Sequence, residues 1–519
     1  MNRSELPEDA ASLLHDSFYS TVRRRPEKIA LICGDRRYRY AEIHQSVDAL
    51  AAHLQRRGVR RGDRVAIFLD NGFEAVVSIY AVLRIGAVVM PLNPHTKREK
   101  LTYVLDDSSA SALLTHDLLR GAWVGALARN RTVHTCLVLA ADAPLADERF
   151  VHFEQAASGG AKPADVALID QDLAAVVYTS GSTGDPKGVM LTHLNMVSAS
   201  RSVSAYLGIR ESDVILCALP LAFDYGLYQI LMGFKAGASV VLELGFALPA
   251  KVVQLMAQER VTVLPGVPTL FSQLTHFRAL PNFDLGSLRM ITNTAAALPE
   301  QQIRALRRQF PQARLYSMYG LTECKRVTFL PPEQLDIRPN SVGRGMPNEE
   351  LWLVDEAGNR LPHGSVGELV VRGSHVMRGY WRKPEETAKR LRPGPNPGER
   401  VLYTGDIFRT DEEGYLYFVS RKDDVIKSRG EKVSPREVEN ALYNLDGVHE
   451  AAVIGVPDPL LGQAIKAFVA LRPGFRYTER EVIRHCLSRL ENFMAPKHVV
   501  FIDALPRTET GKITKTGLE

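Results

Sequence analysis

Over residues 60–270, short runs of β-branched and aliphatic residues alternate with stretches whose apolar positions recur at helical spacing. Residues 64–70 (RVAIFLD) read as a strand, 72–86 as the helix after it, and 87–93 as the next strand. The alternation returns at 213–221 with a helix from Leu227, at 238–244 with a helix over 251–260, and at 261–266. It predicts parallel sheets covered by helices, because a parallel connection needs a crossover long enough to hold one. No repeat of solenoid length is present.

From Gly343 the pattern changes. Residues 354–373 and 409–420 are short alternating runs around Gly-containing turns, which predicts a more antiparallel, β-rich region. Residues 420–430 are charged and poor in apolar positions, as an exposed joint would be. Beyond them, Ser434 is placed to cap a helix with Pro435 at its first position. Residues 451–458 and 465–473 read as strands, and a second helix runs from Thr478 to about Leu490. The expected architecture is therefore α/β. A large N-terminal domain (1–422) holds helix-covered, mostly parallel sheets and a β-rich subdomain. A small α+β C-terminal domain (423–519) follows.

A chain of 519 residues is too long for one ordinary core, which agrees with that division. The formal charge of +5 is small, and the basic residues are scattered rather than gathered in the stripe a nucleic-acid reader needs. Cys33, Cys136, Cys217, Cys324 and Cys486 never form a CxxC pair, so neither a disulfide framework nor a zinc site is expected. The N-terminus lacks a signal-peptide layout. The most apolar run, 76–90, is broken by Arg84 and is too short to span a bilayer. No membrane span and a cytoplasmic location are the expectations.

The strongest chemical signal is YTSGSTGDPKG, residues 178–188, directly after an apolar strand-like run. Eleven residues hold three glycines, two serines, two threonines and a lysine. Glycines let backbone N–H groups converge on an anion, and hydroxyls and an ammonium add further donors, which is what a polyphosphate requires. The spacing is not that of a P-loop, which needs GxxxxGK followed by Ser or Thr. A flexible polar turn without a ligand is the bland alternative, but a turn needs only one or two such residues.

This loop resembles the signature of the AMP-forming adenylating enzymes: acyl- and aryl-CoA synthetases, adenylation domains of peptide synthetases, and luciferases. The resemblance extends over essentially the whole chain. It implies that Thr179, Ser180, Gly181, Ser182, Thr183, Gly184 and Lys187 hold the β- and γ-phosphates of ATP. MYGLTE (318–323) is similar to the segment whose aromatic ring stacks on adenine (Tyr319), whose threonine meets the α-phosphate (Thr322) and whose glutamate helps hold Mg²⁺ (Glu323). One carboxylate plus phosphate oxygens is a usual Mg²⁺ environment. Asn293, Thr294 and Ala295, in ITNTAAALP, match the adenine-pocket lining. Asp406 in YTGD matches the ribose-binding aspartate, whose two acceptor oxygens suit a vicinal diol. Arg421 matches a ribose or phosphate contact, and Asp423 the hinge. Ser420 stands where the family usually has glycine. Lys512 in TGKITK matches the lysine that bridges substrate carboxylate and α-phosphate. Gly430 matches the loop that admits a pantetheine arm.

The resemblance therefore implies a two-step ligase with two catalytic constellations in one cleft: adenylation with Lys512 inside, then transfer to a thiol after the small domain turns about Asp423. The thiol belongs to coenzyme A or to the phosphopantetheine of a separate carrier protein, since the chain ends seven residues after Lys512. The substrate segment includes Phe223, Asp224, Tyr225 and Tyr228, with Met318 and Arg326 beside it. Asp224 leaves two readings open. It pairs with a substrate ammonium, as in amino-acid-activating domains, or it is structural, as in bacterial acyl-CoA ligases that carry FDYGL. Arg326 is expected to salt-bridge Asp224 or to bind a second acid group. His193 and Asn195 read as helix-surface or capping residues. A luciferase-type oxidation leaves no mark in the sequence, and a non-catalytic nucleotide sensor would be expected to lack Lys512 or Glu323.

Overall fold

The computed structural model describes residues 12–141, 148–179, 186–294, 298–422, 424, 426–428, 431–458, 461–490, 492–507 and 513–518. Two large sheets organise the first three-quarters of the chain. One has nine strands, ordered Arg344–Gly345, Thr328–Leu330, Arg314–Tyr319, Met290–Asn293, Val263–Gly266, Val214–Cys217, Ser239–Leu242, Ile29–Cys33 and Arg36–Arg39. Its interior pairings are all parallel, and the antiparallel ones lie towards its edges. The other has eight strands, ordered Gly379–Tyr380, Lys187–Thr192, Leu173–Thr179, Val88–Pro91, Arg64–Phe68, Ala112–His116, Thr135–Leu139 and Phe150–His152.

Both sheets contribute to one continuous core with the helices Tyr40–Arg56, Phe73–Arg84, His193–Leu207 and Asp224–Ala236. The helix Phe73–Arg84 buries residues on every side, which is why its sequence is apolar almost throughout. Aromatic packing ties the layers together: Phe18 lies 4.5 Å from Tyr80, and Tyr80 stacks on Phe234 at 5.8 Å.

A third sheet, wholly antiparallel, is built from Glu349–Val354, Val366–Gly373, Arg400–Thr410, Leu391–Pro393 and Leu416–Arg421. It answers the turn-rich texture read after Gly343. One buried pair joins its first strand to the segment after its second: His375 Nε2 lies 3.0 Å from Glu349 Oε2, both side chains fully buried. Burial pushes the Glu349 carboxyl well up and the His375 imidazole down to about 4, so both charged forms are disfavoured there.

The fourth sheet comprises Glu431–Val433, Ile426–Ser428, Gly462–Leu471, Val448–Asp458 and His498–Phe501, with its own apolar core. Ser434 caps the helix Pro435–Tyr443 by accepting from the Glu437 N–H, and its hydroxyl also donates to the Val419 carbonyl. Thr478 and Glu481 form a capping box on the helix Glu479–Leu487.

Two sequence expectations need correction. The helix expected from Leu227 begins at Asp224, because Phe223 is extended and an acidic residue in the first turn complements the helix dipole. His193 is not at the surface. It opens the helix His193–Leu207 fully buried, and its Nδ1 accepts from the Leu14 N–H at 3.1 Å. Asn195 does act as a cap, in a reciprocal box with Thr192. All five cysteines are free, and among the described residues no helix is long and apolar enough to cross a membrane.

Candidate active site

The residues singled out in the sequence come from strand ends. Thr179 closes the strand Leu173–Thr179, and Lys187 opens its antiparallel partner Lys187–Thr192, so the two flank the glycine-rich loop in register. Asn293 and Tyr319 end neighbouring parallel strands of the nine-stranded sheet. The carboxyl ends of parallel strands are where α/β sheets place ligands, since the chain must leave the sheet there in loops. Ser180, Gly181, Ser182, Thr183, Gly184, Ala295, Asp423, Gly430 and Lys512 lie outside the described residues.

Tyr319 and Asp406 meet directly. The tyrosine hydroxyl donates to Asp406 Oδ2 at 2.6 Å, and Arg421 Nε stands 3.5 Å from Oδ1. Burial pushes the Asp406 carboxyl above its ordinary value, with Arg421 and the Tyr319 hydroxyl pulling it back. Phe408, two residues on, meets the Tyr319 ring edge-on at 4.8 Å. Gly405, beside Asp406 within the strand Arg400–Thr410, has φ +72°, a left-handed conformation that favours glycine. Ser420 pairs with Ile407 at a bulge, where the register shifts between Ile407 and Phe408, and its buried Oγ has no hydrogen-bond partner among the described residues.

Glu323 is fixed from behind. Its carbonyl accepts from the Met377 N–H at 2.7 Å, and its Oε1 accepts from the Tyr380 hydroxyl at 2.7 Å. Tyr380 also lies under the Lys187 ammonium, 5.7 Å from it, while the ammonium itself pairs with Glu386. Lys187 and Lys389 together hold the Glu386 carboxyl at about 2. Tyr380 and Glu386 were not singled out in the sequence. Nothing in GYWRKPEET marks them as partners of residues some 57 and 199 positions away.

Glu323 is half-buried and keeps a second carboxylate oxygen outside its bond to Tyr380. Among the described residues no three potential metal ligands gather. A single available carboxylate fits Mg²⁺ held mostly by phosphate oxygens and water, not a closed protein cage.

At the acyl end, the Tyr225 hydroxyl donates to the Thr292 carbonyl at 2.7 Å and shares a hydrogen bond with the Thr292 hydroxyl at 2.7 Å, and the Tyr206 hydroxyl reaches Met318 Sδ at 3.0 Å. Tyr228 is buried in the same helix, and Phe223 is that helix's N-cap. Thr294 is buried, and its hydroxyl has no partner among the described residues. The expected Arg326–Asp224 ion pair does not form. Its neighbour Lys325 takes that place, with Nζ 2.8 Å from the Asp224 carbonyl and 3.4 Å from its Oδ2. The exchange follows from the backbone. Gly320 packs its Cα against the Lys325 carbonyl and Lys325 adopts φ +66°, a turn that sends consecutive side chains to different neighbours. Burial pulls the Lys325 ammonium down to about 7, against the pull of Asp224 and reinforced by Arg326.

The residues flanking the segment expected to carry Lys512 are described. Arg507 bridges Ile513, Thr514 N–H donates to the Pro506 carbonyl at 2.9 Å, and Lys515 pairs with Glu439 at 3.0 Å. Arg507 also pairs with Glu450.

Lys187 lying over Tyr380, which tethers Glu323, together with a buried Asp406 held by Tyr319 and Arg421, frames a candidate nucleotide site at the strand ends. Known proteins agree. Residues 18–381 match the AMP-binding enzyme model, and 437–512 match the AMP-binding enzyme C-terminal domain. A long-chain-fatty-acid–CoA ligase from Bacillus subtilis is 32% identical, covering 98% of this chain and 93% of its own length. A feruloyl-CoA synthase from an Amycolatopsis species is 35% identical over 95% and 96%. Among solved structures, ATP-bound MatB from Rhodopseudomonas palustris superposes with a TM-score of 0.89 at 30% identity, covering 98% of each chain. The chain belongs to the AMP-binding enzyme family. It is an ATP-dependent ligase that activates an acid through an acyl-adenylate.

Proposed function

We propose that this ligase joins a carboxylic acid to coenzyme A in two steps within one cleft, in the cytoplasm. Support for the acceptor comes from the curated relatives, which are CoA ligases over nearly their full length. The observation that carries the reading is the convergence of Tyr319, Asp406 and Arg421 on one side and of Glu323, Tyr380 and Lys187 on the other.

In the first step Asp406 and Arg421 take the ribose, and the Tyr319 ring stacks on adenine between Asn293, Thr294 and Ala295. Residues Thr179 to Gly184 with Lys187 grip the β- and γ-phosphates, so Lys187 must leave Glu386 as the nucleotide enters. Glu323, held by Tyr380, is the protein ligand for Mg²⁺, which when bound offsets phosphate charge. A carboxylate oxygen of the acid attacks the α-phosphorus and the bond to the β-phosphate bridging oxygen breaks. Pyrophosphate leaves while Thr322 and Lys512 stabilise the charge on the α-phosphate. In the second step the domain of residues 423–519 turns about Asp423 and brings Gly430 to the cleft. The thiol sulfur attacks the acyl carbon, its proton passes to solvent and AMP departs.

Asp224 already has an ammonium partner in Lys325, which favours acids over amino acids as substrates. Pyrophosphate release screened over fatty, aryl and amino acids, with coenzyme A and with carrier proteins as acceptors, tests the reading. Acid-dependent release with acyl-CoA as product is expected. Release only with amino acids, or transfer only to a carrier protein, overturns it. Asp406→Ala is expected to raise the KM for ATP about 10- to 100-fold through lost charge-assisted hydrogen bonds to the ribose. An unchanged KM in a pyrophosphate-exchange titration refutes that role.

A further inference from the structure

The acyl end of the site holds a charge imbalance that adenylation does not use. Arg326 is among the largest fully buried side chains of the protein. Its guanidinium lies over the Tyr225 ring at 5.0 Å. Its Nε is buried without a hydrogen-bond partner among the described residues. Beside it Lys325 stands 4.1 Å over the Tyr228 ring and spends its donors on Asp224. Lys325, and not Arg326, therefore holds the Asp224 carboxylate. Nor does Glu349 supply the missing charge: its carboxyl is disfavoured as an anion by burial, accepts from the Met346 N–H, and faces His375.

A guanidinium stays charged at any pH at which the protein folds, and it carries five donors in a planar fork. Burying it against aromatic faces recovers part of its lost hydration through cation–π contact, but leaves the donors unmet. Buried polar groups in folded proteins find partners, and a buried charge without one is a costly arrangement. The fork matches a carboxylate in shape, so the missing partner is a planar anion. Tyr225 and Tyr228, over whose rings Arg326 and Lys325 lie, are residues that the resemblance assigns to the acyl group.

We propose that Arg326 recognises a second carboxylate carried by the acyl part of the substrate, so that this ligase selects dicarboxylic acids and activates the carboxyl group that Arg326 does not hold. The proposal rests on the adenylation reading above. It places Lys325 as a positioning residue, holding Asp224 away from Arg326 so that the guanidinium stays available to the substrate.

The test compares purified wild-type protein on short, medium and long aliphatic dicarboxylic acids and on aryl dicarboxylic acids, each beside its monomethyl ester, by pyrophosphate release. The best diacid is expected to have a KM about 10- to 100-fold below that of its half-ester, the range of a charge-assisted hydrogen bond. In Arg326→Leu that ratio is expected to fall towards one, chiefly through KM, and Arg326→Lys to restore part of it. Should Arg326→Leu fail to fold, the wild-type ratio alone decides. Efficient use of monocarboxylic acids without preference for any diacid overturns this inference and leaves the adenylation reading standing. Absence of pyrophosphate release with every acid overturns both.

Discussion

Lys512→Ala is expected to slow acid-dependent ATP–pyrophosphate exchange about 10²–10³-fold, the usual effect of deleting one preorganised donor to a developing charge. In the proposed adenylation step the lysine approaches two anions, the attacking carboxylate and the α-phosphate, whose repulsion rises as they close. A positioned ammonium offsets that repulsion most at the point of closest approach, so the loss falls on kcat more than on KM. The described flanks bridge each other at Arg507 and Ile513, with Arg507 paired to Glu450 of the strand Val448–Asp458 and Lys515 to Glu439 of the helix Pro435–Tyr443. Transfer from preformed acyl-adenylate to coenzyme A is expected to survive in the same variant. Exchange at the wild-type rate contradicts the assignment.

The complementary change is Gly430→Leu. If the loop after Ile426–Ser428 is the part that admits the thiol arm, a branched side chain there obstructs it. Thioester formation is then expected to fall about 10²-fold, the order of loss a misplaced reactant suffers. Adenylation is expected to be far less affected, so acyl-AMP accumulates on the enzyme. Quench-flow measurement of acyl-AMP and acyl-CoA in one time course separates the two steps. Equal slowing of both contradicts the use of separate faces of the C-terminal domain.

Much of this was legible in the sequence for identifiable reasons. Strand–helix alternation at 64–93 and 213–266 reports a local period, and the parallel sheets follow from it. Ser434-Pro435 and Thr478 named their helices because capping is settled within four residues. The glycine-rich loop, Tyr319 and Asp406 stand out as motifs because each packs its chemistry into a short string, and Tyr319 and Asp406 do meet. Partners across the fold were not. Tyr380 for Glu323, Glu386 for Lys187 and Lys325 for Asp224 meet only after the two large sheets and the antiparallel sheet assemble. Lys325 was hidden for a further reason. A non-glycine residue in the left-handed region reverses which of two adjacent side chains faces Asp224, and no periodicity announces that. The helix begins at Asp224 and not at Leu227 because Phe223 is extended and ends the preceding segment there, which the apolar spacing after Leu227 does not report.

The path of one oxygen atom tests the central claim. With both carboxylate oxygens of an accepted acid labelled with oxygen-18, attack on the α-phosphorus followed by thiolysis leaves one labelled oxygen in the phosphate of AMP. We expect singly labelled AMP, unlabelled pyrophosphate and no ADP. ADP as the nucleotide product, or AMP without label, would contradict an acyl-adenylate and with it the two-step use of this cleft.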